Sequence, residues 1–574
     1  MALFYLSRQS LHAFWRKHGA TLLPLIPVVA ILLAYVLYPN LHLLVQSFLV
    51  NGKLSLQNYF AFFDLENSVN LEALWGSVYI SLLTVAFSAL VGVPLAYLFT
   101  HYDFPGKSLF ASVAVLPLVL PPLVGVLAFL FLFGESGMLP RTLQALFGLE
   151  SVPFALDGVA AILVVHVYSL YVYFYLFASS FFMDLDASIL EAAQNLGASR
   201  WLTLRKVVLP MMTPALGGAS LLVFMTSMAS FSAPFIFAGG FRILSLEIYN
   251  TKLNGELELA VTQSVVLAGI SVLFLILLRK YSERRQYVGG GKGVRVQPRV
   301  VKSGWARLLM AGLGVFMVML LILPHLTVIL ISFVKNGTWT WQVLPTVYTL
   351  ENYTDLFRNP DVAAPVVNSL KMATLATVAN VLFGVAAAYL LIRRKFAGKK
   401  LVEVCTMLPW AIPGTVLAIS LIVTFNKPTI ITAGHILVGS FWILPLAYFI
   451  RNLPLVFRST YASLEQFEPA LEESARNLGA DWWFAFRKVM LPLIAPGVIS
   501  GALLAFVLAL GEFVSSILLY NYFNRPISVE IISQLRIFNL GSAAAYSVFL
   551  IILIGLVVLV SNRFLGRRKV PVVF

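Results

Sequence analysis

The chain has 574 residues, of which 60% are apolar and only 11% charged, and its formal net charge is +15. A soluble domain is about 25% charged and about 45–50% apolar, so a soluble enzyme is excluded. Disorder is excluded too, because it needs low hydrophobicity and dense charge.

A mean hydropathy of +0.89 and charge-free runs such as Leu109–Phe133 and Gly158–Met183 point to a polytopic all-α membrane protein, since roughly 20 apolar residues cross a bilayer as a helix. The N-terminus carries Arg8, Arg16 and Lys17. The apolar run behind them is too long for a signal-sequence core and lacks a cleavage site, so it reads as a retained first span, 22–48. Further spans are expected near 71–100, 108–134, 156–183, 205–237, 256–278, 306–333, 364–392, 402–426, 429–451, 489–520 and 541–564, about twelve in all. Prolines at 117, 121 and 122, and again at 409 and 413, predict bent third spans in both halves. Cys405 is the single cysteine, so there is no disulfide framework or cysteine metal site.

Basic residues gather at the N-terminus, over 279–307, over 393–400 and at Arg563, Arg567, Arg568 and Lys569. With twelve spans these all fall on one side. The positive-inside rule makes that side, and both termini, cytoplasmic. The charge excess is therefore a topology signal, and no nucleic-acid role follows from it.

Glu191–Pro214 repeats as Glu473–Pro496, with 13 of 24 positions identical at an offset of 282. Phe104–Lys107, Leu116-Pro117 and Pro121 recur at Phe396–Lys399, Leu408-Pro409 and Pro413, at an offset of 292. The first half therefore carries an extra stretch, placed in the outer loop 134–152. Each half has six spans, so the repeats are parallel, related by an axis along the membrane normal. Residues 1–280 form the first repeat, with its motif loop at 184–214. Residues 281–305 form a basic linker containing Gly289–Gly291, with no Ser or Thr after Lys292 to suggest a phosphate loop. Residues 306–574 form the second repeat, with its motif loop at 463–496.

Each motif reads as a short cytoplasmic helix. Glu191 and Asn195 share a face, Ala192 and Ala193 keep it low for an approaching partner, and Gly197 suits a left-handed terminus. The second copy is Glu473, Ser474, Ala475, Asn477 and Gly479. A capping box with Ser188 would explain Glu191 alone. It fails for Glu473, because Pro469 starts that helix too early, which favours a docking role for both. Leu209-Pro210 and Leu491-Pro492 are expected to open the following spans.

Both segments resemble the EAA loop of permease subunits in bacterial type I ABC importers: Glu-Ala-Ala, three residues, Gly, nine residues, Ile, one residue, Leu-Pro. Ser474 replaces the first Ala, and Val207 and Val489 replace Ile. The resemblance implies that each short helix couples to one of two copies of a separate ATPase subunit, which binds ATP and Mg²⁺, since no Walker motif occurs here. It also implies a substrate-binding protein delivering cargo from outside, and residence in the inner membrane among its lipids. No cofactor is expected on this chain. A fused double permease of this kind is similar to the ferric-iron permeases, with thiamine and 2-aminoethylphosphonate permeases as alternatives.

The substrate route is expected near the midplane, where helices break or turn polar. Ser230, Ser232 and Pro234 mark it in the first repeat, and Glu512, Ser515 and Ser516 in the second. Glu512 either faces the route or pairs with a polar neighbour. His166 and His435 lack a second ligand at useful spacing and read as packed or interfacial. The Tyr168–Phe182 run reads as lipid-facing and core surface. An ion-driven carrier would need more intramembrane charge, and a membrane enzyme would need a clustered catalytic set; neither pattern is found.

Overall fold

The computed structural model describes residues 25–283, 298–339 and 342–565. Among the described residues ten helices are long and apolar enough to cross a membrane, or eleven if one bent pair is counted as a single span. The Gly289–Gly291 linker segment and the terminal basic residues at 8, 16, 17 and 567–569 lie outside the described residues.

The chain packs as two units interleaved in sequence. One comprises Met1–Gln46, Pro360–Val529 and Ile552–Phe574, and the other Ser47–Asn359 and Glu530–Ile551. The sequence repeat and the packing unit are thus different divisions of the chain.

In the second of these units, the helix Val69–His101 lies against Gly158–Asp184. A stripe of Ala73, Gly76, Ser77, Ser81, Thr84, Ser88, Gly92 and Ala96 is buried along it, the small-residue surface that lets helix backbones approach closely in lipid. A Cβ at Gly92 would stand 2.5 Å from the Tyr171 carbonyl oxygen. The aromatic run is largely core: Tyr168, Tyr171, Phe174, Tyr175 and Phe182 are buried. Their polar tips find partners, as buried phenols must. Tyr168 donates to the Leu321 carbonyl at 2.9 Å, and Tyr171 to that of Ala114 at 2.5 Å.

In the other unit, Pro360–Arg393 packs on Ile443–Glu465, with Gly384 against Val456 and Phe457. The helix Leu25–Gln46 lies on Gly414–Phe425, where the His42 ring nitrogen Nδ1 meets the Thr424 hydroxyl at 3.2 Å.

Several expectations need correction. The tenth span is not 429–451. Residues 427–442 are turns and irregular chain, and the helix is Ile443–Glu465. It carries Arg451, Asn452 and Arg458, so it falls outside the ten helices picked out by length and apolar composition. The third spans are broken rather than gently bent. Lys399–Ala411 and Gly414–Phe425 meet at 110°, and Pro122–Phe133 begins behind an extended Leu120-Pro121. Residues ahead of a proline are pushed out of the helical region, so Pro121 and Pro413 set the breaks.

The fifth spans start earlier than expected, at Arg200 and Trp482. Pro210 and Pro492 are therefore not in a first turn. Each follows a widened π-helical turn, Leu204–Val208 and Phe486–Met490. That turn relieves the clash a proline ring makes with the carbonyl four residues back. The extra stretch in the first repeat contains a helix, Met138–Phe147.

Candidate functional site

The first motif folds as the helix Ala187–Asn195 and the second as Pro469–Asn477, and neither buries any residue. Asp186, not Ser188, caps the first, accepting the Ser188 N–H at 3.0 Å. Ser188 lies inside the helix, so the capping box is absent and Glu191 stays exposed. Pro469 is the first helical residue of the second copy, which puts Glu473 past any capping position.

Both helices end alike. Gly197 and Gly479 have φ of 79° and 91°, the left-handed region that glycine enters without steric cost. Gly197 N–H donates to the Gln194 carbonyl and Ala198 N–H to that of Ala193; Gly479 to Arg476 and Ala480 to Ala475 repeat the pattern. This is the paired closure that satisfies the last carbonyls of a helix. Ser199 and Asp481 then cap the next helix, accepting from Leu202 and Phe484. Glu191, Ala192 and Asn195 are exposed and Ala193 half-buried; Glu473, Ser474 and Asn477 are exposed and Ala475 half-buried.

Sequence reasoning missed the apolar residue before each glycine. Leu196 is 88% exposed and Leu478 90%. Both are large apolar side chains left in the open at equivalent places of the two copies. The signal was the repeated Asn-Leu-Gly itself.

The supports beneath the two helices differ. Under the second, Arg393 reaches Glu472 at 3.7 Å, an ion pair too long for a hydrogen bond, and its guanidinium lies 5.1 Å from the centre of the Phe467 ring. Glu472 also pairs with Arg476 at 3.2 Å. Trp482 donates to the Tyr389 hydroxyl at 2.7 Å. At the same repeat offset of 282, Glu472 corresponds to Leu190 and Phe467 to Leu185, so the first support lacks this ion pair. There His101 and Tyr97 pack against Phe182.

The six midplane candidates fall at the breaks of the fifth spans, three in each unit. In the first repeat the helix Leu209–Met228 stops and Ser232–Phe237 resumes. Ser230 sits in the gap. Its hydroxyl meets His166 Nε2 at 2.8 Å, and its carbonyl accepts from the Ser245 hydroxyl at 2.6 Å. His166 Nδ1 meets Ser227 at 3.2 Å and Thr84 at 3.3 Å. Ser232 and Pro234 are buried. The cluster is neutral hydroxyls around one imidazole.

In the second repeat Leu491–Leu510 stops and Val514–Leu519 resumes. Glu512 sits in the gap, paired with Arg451 at 2.8 Å. Its other carboxylate oxygen accepts the Ser515 N–H at 2.9 Å, and its carbonyl accepts from the Ser516 and Ser528 hydroxyls, each at 2.7 Å. Tyr448 shares a 2.7 Å hydrogen bond with Ser516. Ser515 and Ser516 are buried. Tyr448 corresponds to His166 and Glu512 to Ser230 at the offset of 282. Arg451 was missed because the tenth span was placed too early, leaving it at a supposed helix end.

Among the described residues no group of three His, Cys, Asp or Glu side chains could hold a metal ion.

Comparison with known proteins follows this geometry. The family model described as "Binding-protein-dependent transport system inner membrane component" matches residues 88–286 and again 380–570. The chain is 29% identical to "Probable ABC transporter permease protein y4fN" of Sinorhizobium fredii, over 95% of this chain and 96% of that one. It is 26% identical to a ferric transport system permease protein of Actinobacillus pleuropneumoniae, over 95% of this chain and 78% of that one. A bacterial ABC transporter involved in alginate import matches 46% of this chain at 19% identity, with a TM-score of 0.37.

Proposed function

The chain belongs to the family of binding-protein-dependent transport system inner membrane components, and we propose that, as the permease of an ABC importer, it carries ferric iron. One observation carries the mechanical part of this reading. Two equivalent helices, Ala187–Asn195 and Pro469–Asn477, each with no fully buried residue, stand on matching glycine-ended turns, as docking helices for a partner would. Each engages one of two copies of a separate ATPase, which supplies the ATP and Mg²⁺ chemistry. Glu191 and Glu473 contribute charge at that contact, and Leu196 and Leu478 apolar surface. A substrate-binding protein delivers cargo on the opposite side, and both termini are cytoplasmic.

Iron is supported by likeness to a ferric permease along 95% of the chain. A second reading is favoured by one finding. Glu512 is paired with Arg451, which removes the argument that a lone intramembrane carboxylate selects a cation. A solute carrying an oxygen anion, such as 2-aminoethylphosphonate, suits the guanidinium of that pair; thiamine remains the third candidate.

The test is uptake of radiolabelled ferric iron by iron-starved cells, with the gene deleted and then restored. Restoration by the intact gene, but not by the E191R/E473R variant at equal membrane abundance, is the expected result. No change on deletion removes iron and leaves the other two solutes for the same assay. Full uptake by E191R/E473R sinks the docking role.

A further inference from the structure

We propose that Arg451 is an anion-recognition residue of the transport route, reading an oxygen anion on the cargo, with Glu512 as its positioning partner. The proposal rests on the permease reading and goes beyond it by assigning cargo chemistry to one side chain.

Arg451 lies eight residues into the helix Ile443–Glu465. A charge within the membrane is costly and is kept where it faces a cavity or a partner. Glu512 accounts for only part of this guanidinium. Contact is through Nε at 2.8 Å, and the Arg451 side chain keeps 29% exposure while that of Glu512 keeps 9%. The carboxylate has little left to offer a cation, since one oxygen holds Arg451 and the other accepts the Ser515 N–H. Its backbone carbonyl is held by two serine hydroxyls. Glu512 is thus fixed on all sides, and the exposed group of the pair is the cation.

One edge of that cation packs closely on the third-span break. Gly414 opens the helix after the third-span break, and a Cβ there would stand 2.9 Å from Arg451 Nη1. A planar guanidinium anchored by Nε still presents its Nη groups as a fork suited to carboxylate or phosphate oxygens. The position corresponding to Arg451 in the first repeat is Ser169, and that to Glu512 is Ser230. Both charges therefore occur in one repeat and neither in the other, as expected of two groups that act as a unit.

Two arms test this. The first compares R451Q, E512Q, R451K and R451Q/E512Q in the uptake assay, for whichever solute depends on the gene, at matched membrane abundance and ATPase co-purification. Anion recognition predicts at least a tenfold rise in KM for R451Q, partial recovery in R451K, and no recovery in R451Q/E512Q. A merely structural pair predicts that the neutral double variant returns to near wild-type KM, and that result overturns the proposal. The second arm needs no transport. The full chain in phosphatidylcholine nanodiscs is titrated with inorganic phosphate, and Arg451 is followed by its rate of modification with phenylglyoxal. Phosphate should slow modification at least threefold at Arg451 and not at the exposed Arg242. Equal rates at Arg451 with and without phosphate would reject the anion site. Loss of the iron phenotype alone would reject only the cargo named above.

Discussion

At the break of its fifth span the first repeat gathers neutral groups: His166, Ser227, Ser230 and Thr84. The second repeat places a guanidinium and a carboxylate at the corresponding break. Some thirty to forty residues earlier in the chain the same repeats are nearly alike, with a nine-residue helix, a left-handed glycine and an exposed leucine in each. The contrast follows from what each region has to meet. On the proposed reading, docking helices that face equivalent partners have no reason to diverge. The two fifth-span breaks are closed by different chemistry, neutral hydroxyls around an imidazole in one and an ion pair in the other.

Valine at Gly197 or at Gly479 should give the largest effect and sharpen this contrast. A β-branched residue at φ near 80–90° is a severe outlier, and the left-handed region costs roughly 1–2 kcal/mol even before branching. Uptake should fall more than about tenfold for each variant, and by similar factors. A loss in one repeat only would break the symmetry inferred for docking. Next, Glu512→Gln should lower stability by about 2–3 kcal/mol. This lies under the roughly 3–5 kcal/mol for breaking a fully buried pair, because Arg451 keeps some exposure. Ser230→Ala at the corresponding position should cost about 1 kcal/mol, the scale of one neutral hydrogen bond. Thermal unfolding of the two variants in one detergent checks the ratio, and equal losses would erase the distinction between the two breaks.

Arg393→Ala removes the ion pair to Glu472 and the contact over Phe467. It should weaken ATPase co-purification a few-fold, and pairing it with Leu190→Ala shows whether the apolar support matters equally. The smallest effect is expected from Trp482→Phe, which keeps the stacking on Phe486 and loses the bond to Tyr389. About 0.5–1.5 kcal/mol should show as a small thermal shift with nearly normal uptake.

The two short exposed helices were legible because their residues act locally: Pro469 starts a helix, Gly197 and Gly479 end one, and the repeat exposes both. The breaks at Pro121 and Pro413 were legible as bends, but the 110° turn at Pro413 was not, because the angle is set by what the two pieces pack against. Arg451 was hidden for a different reason. Hydropathy places a span where charges are absent, so a helix that buries charge by pairing is shifted towards its apolar end. The helices Leu244–Leu253 and Ile527–Arg536 were invisible because they are too short and too polar to register in a search for spans.

The π-helical turns at Leu204–Val208 and Phe486–Met490 carry one residue more than an α-helical turn of the same rise. An α-helix advances about 100° per residue, so that residue sets the phase between the docking helix and everything beyond Pro210 or Pro492. Deleting one residue from either turn would leave a continuous helix of nearly the same length, but would rotate the downstream span by about a quarter of a revolution. The chain therefore holds a phase setting in each repeat, and a one-residue indel there would misalign a permease whose every contact side chain was intact.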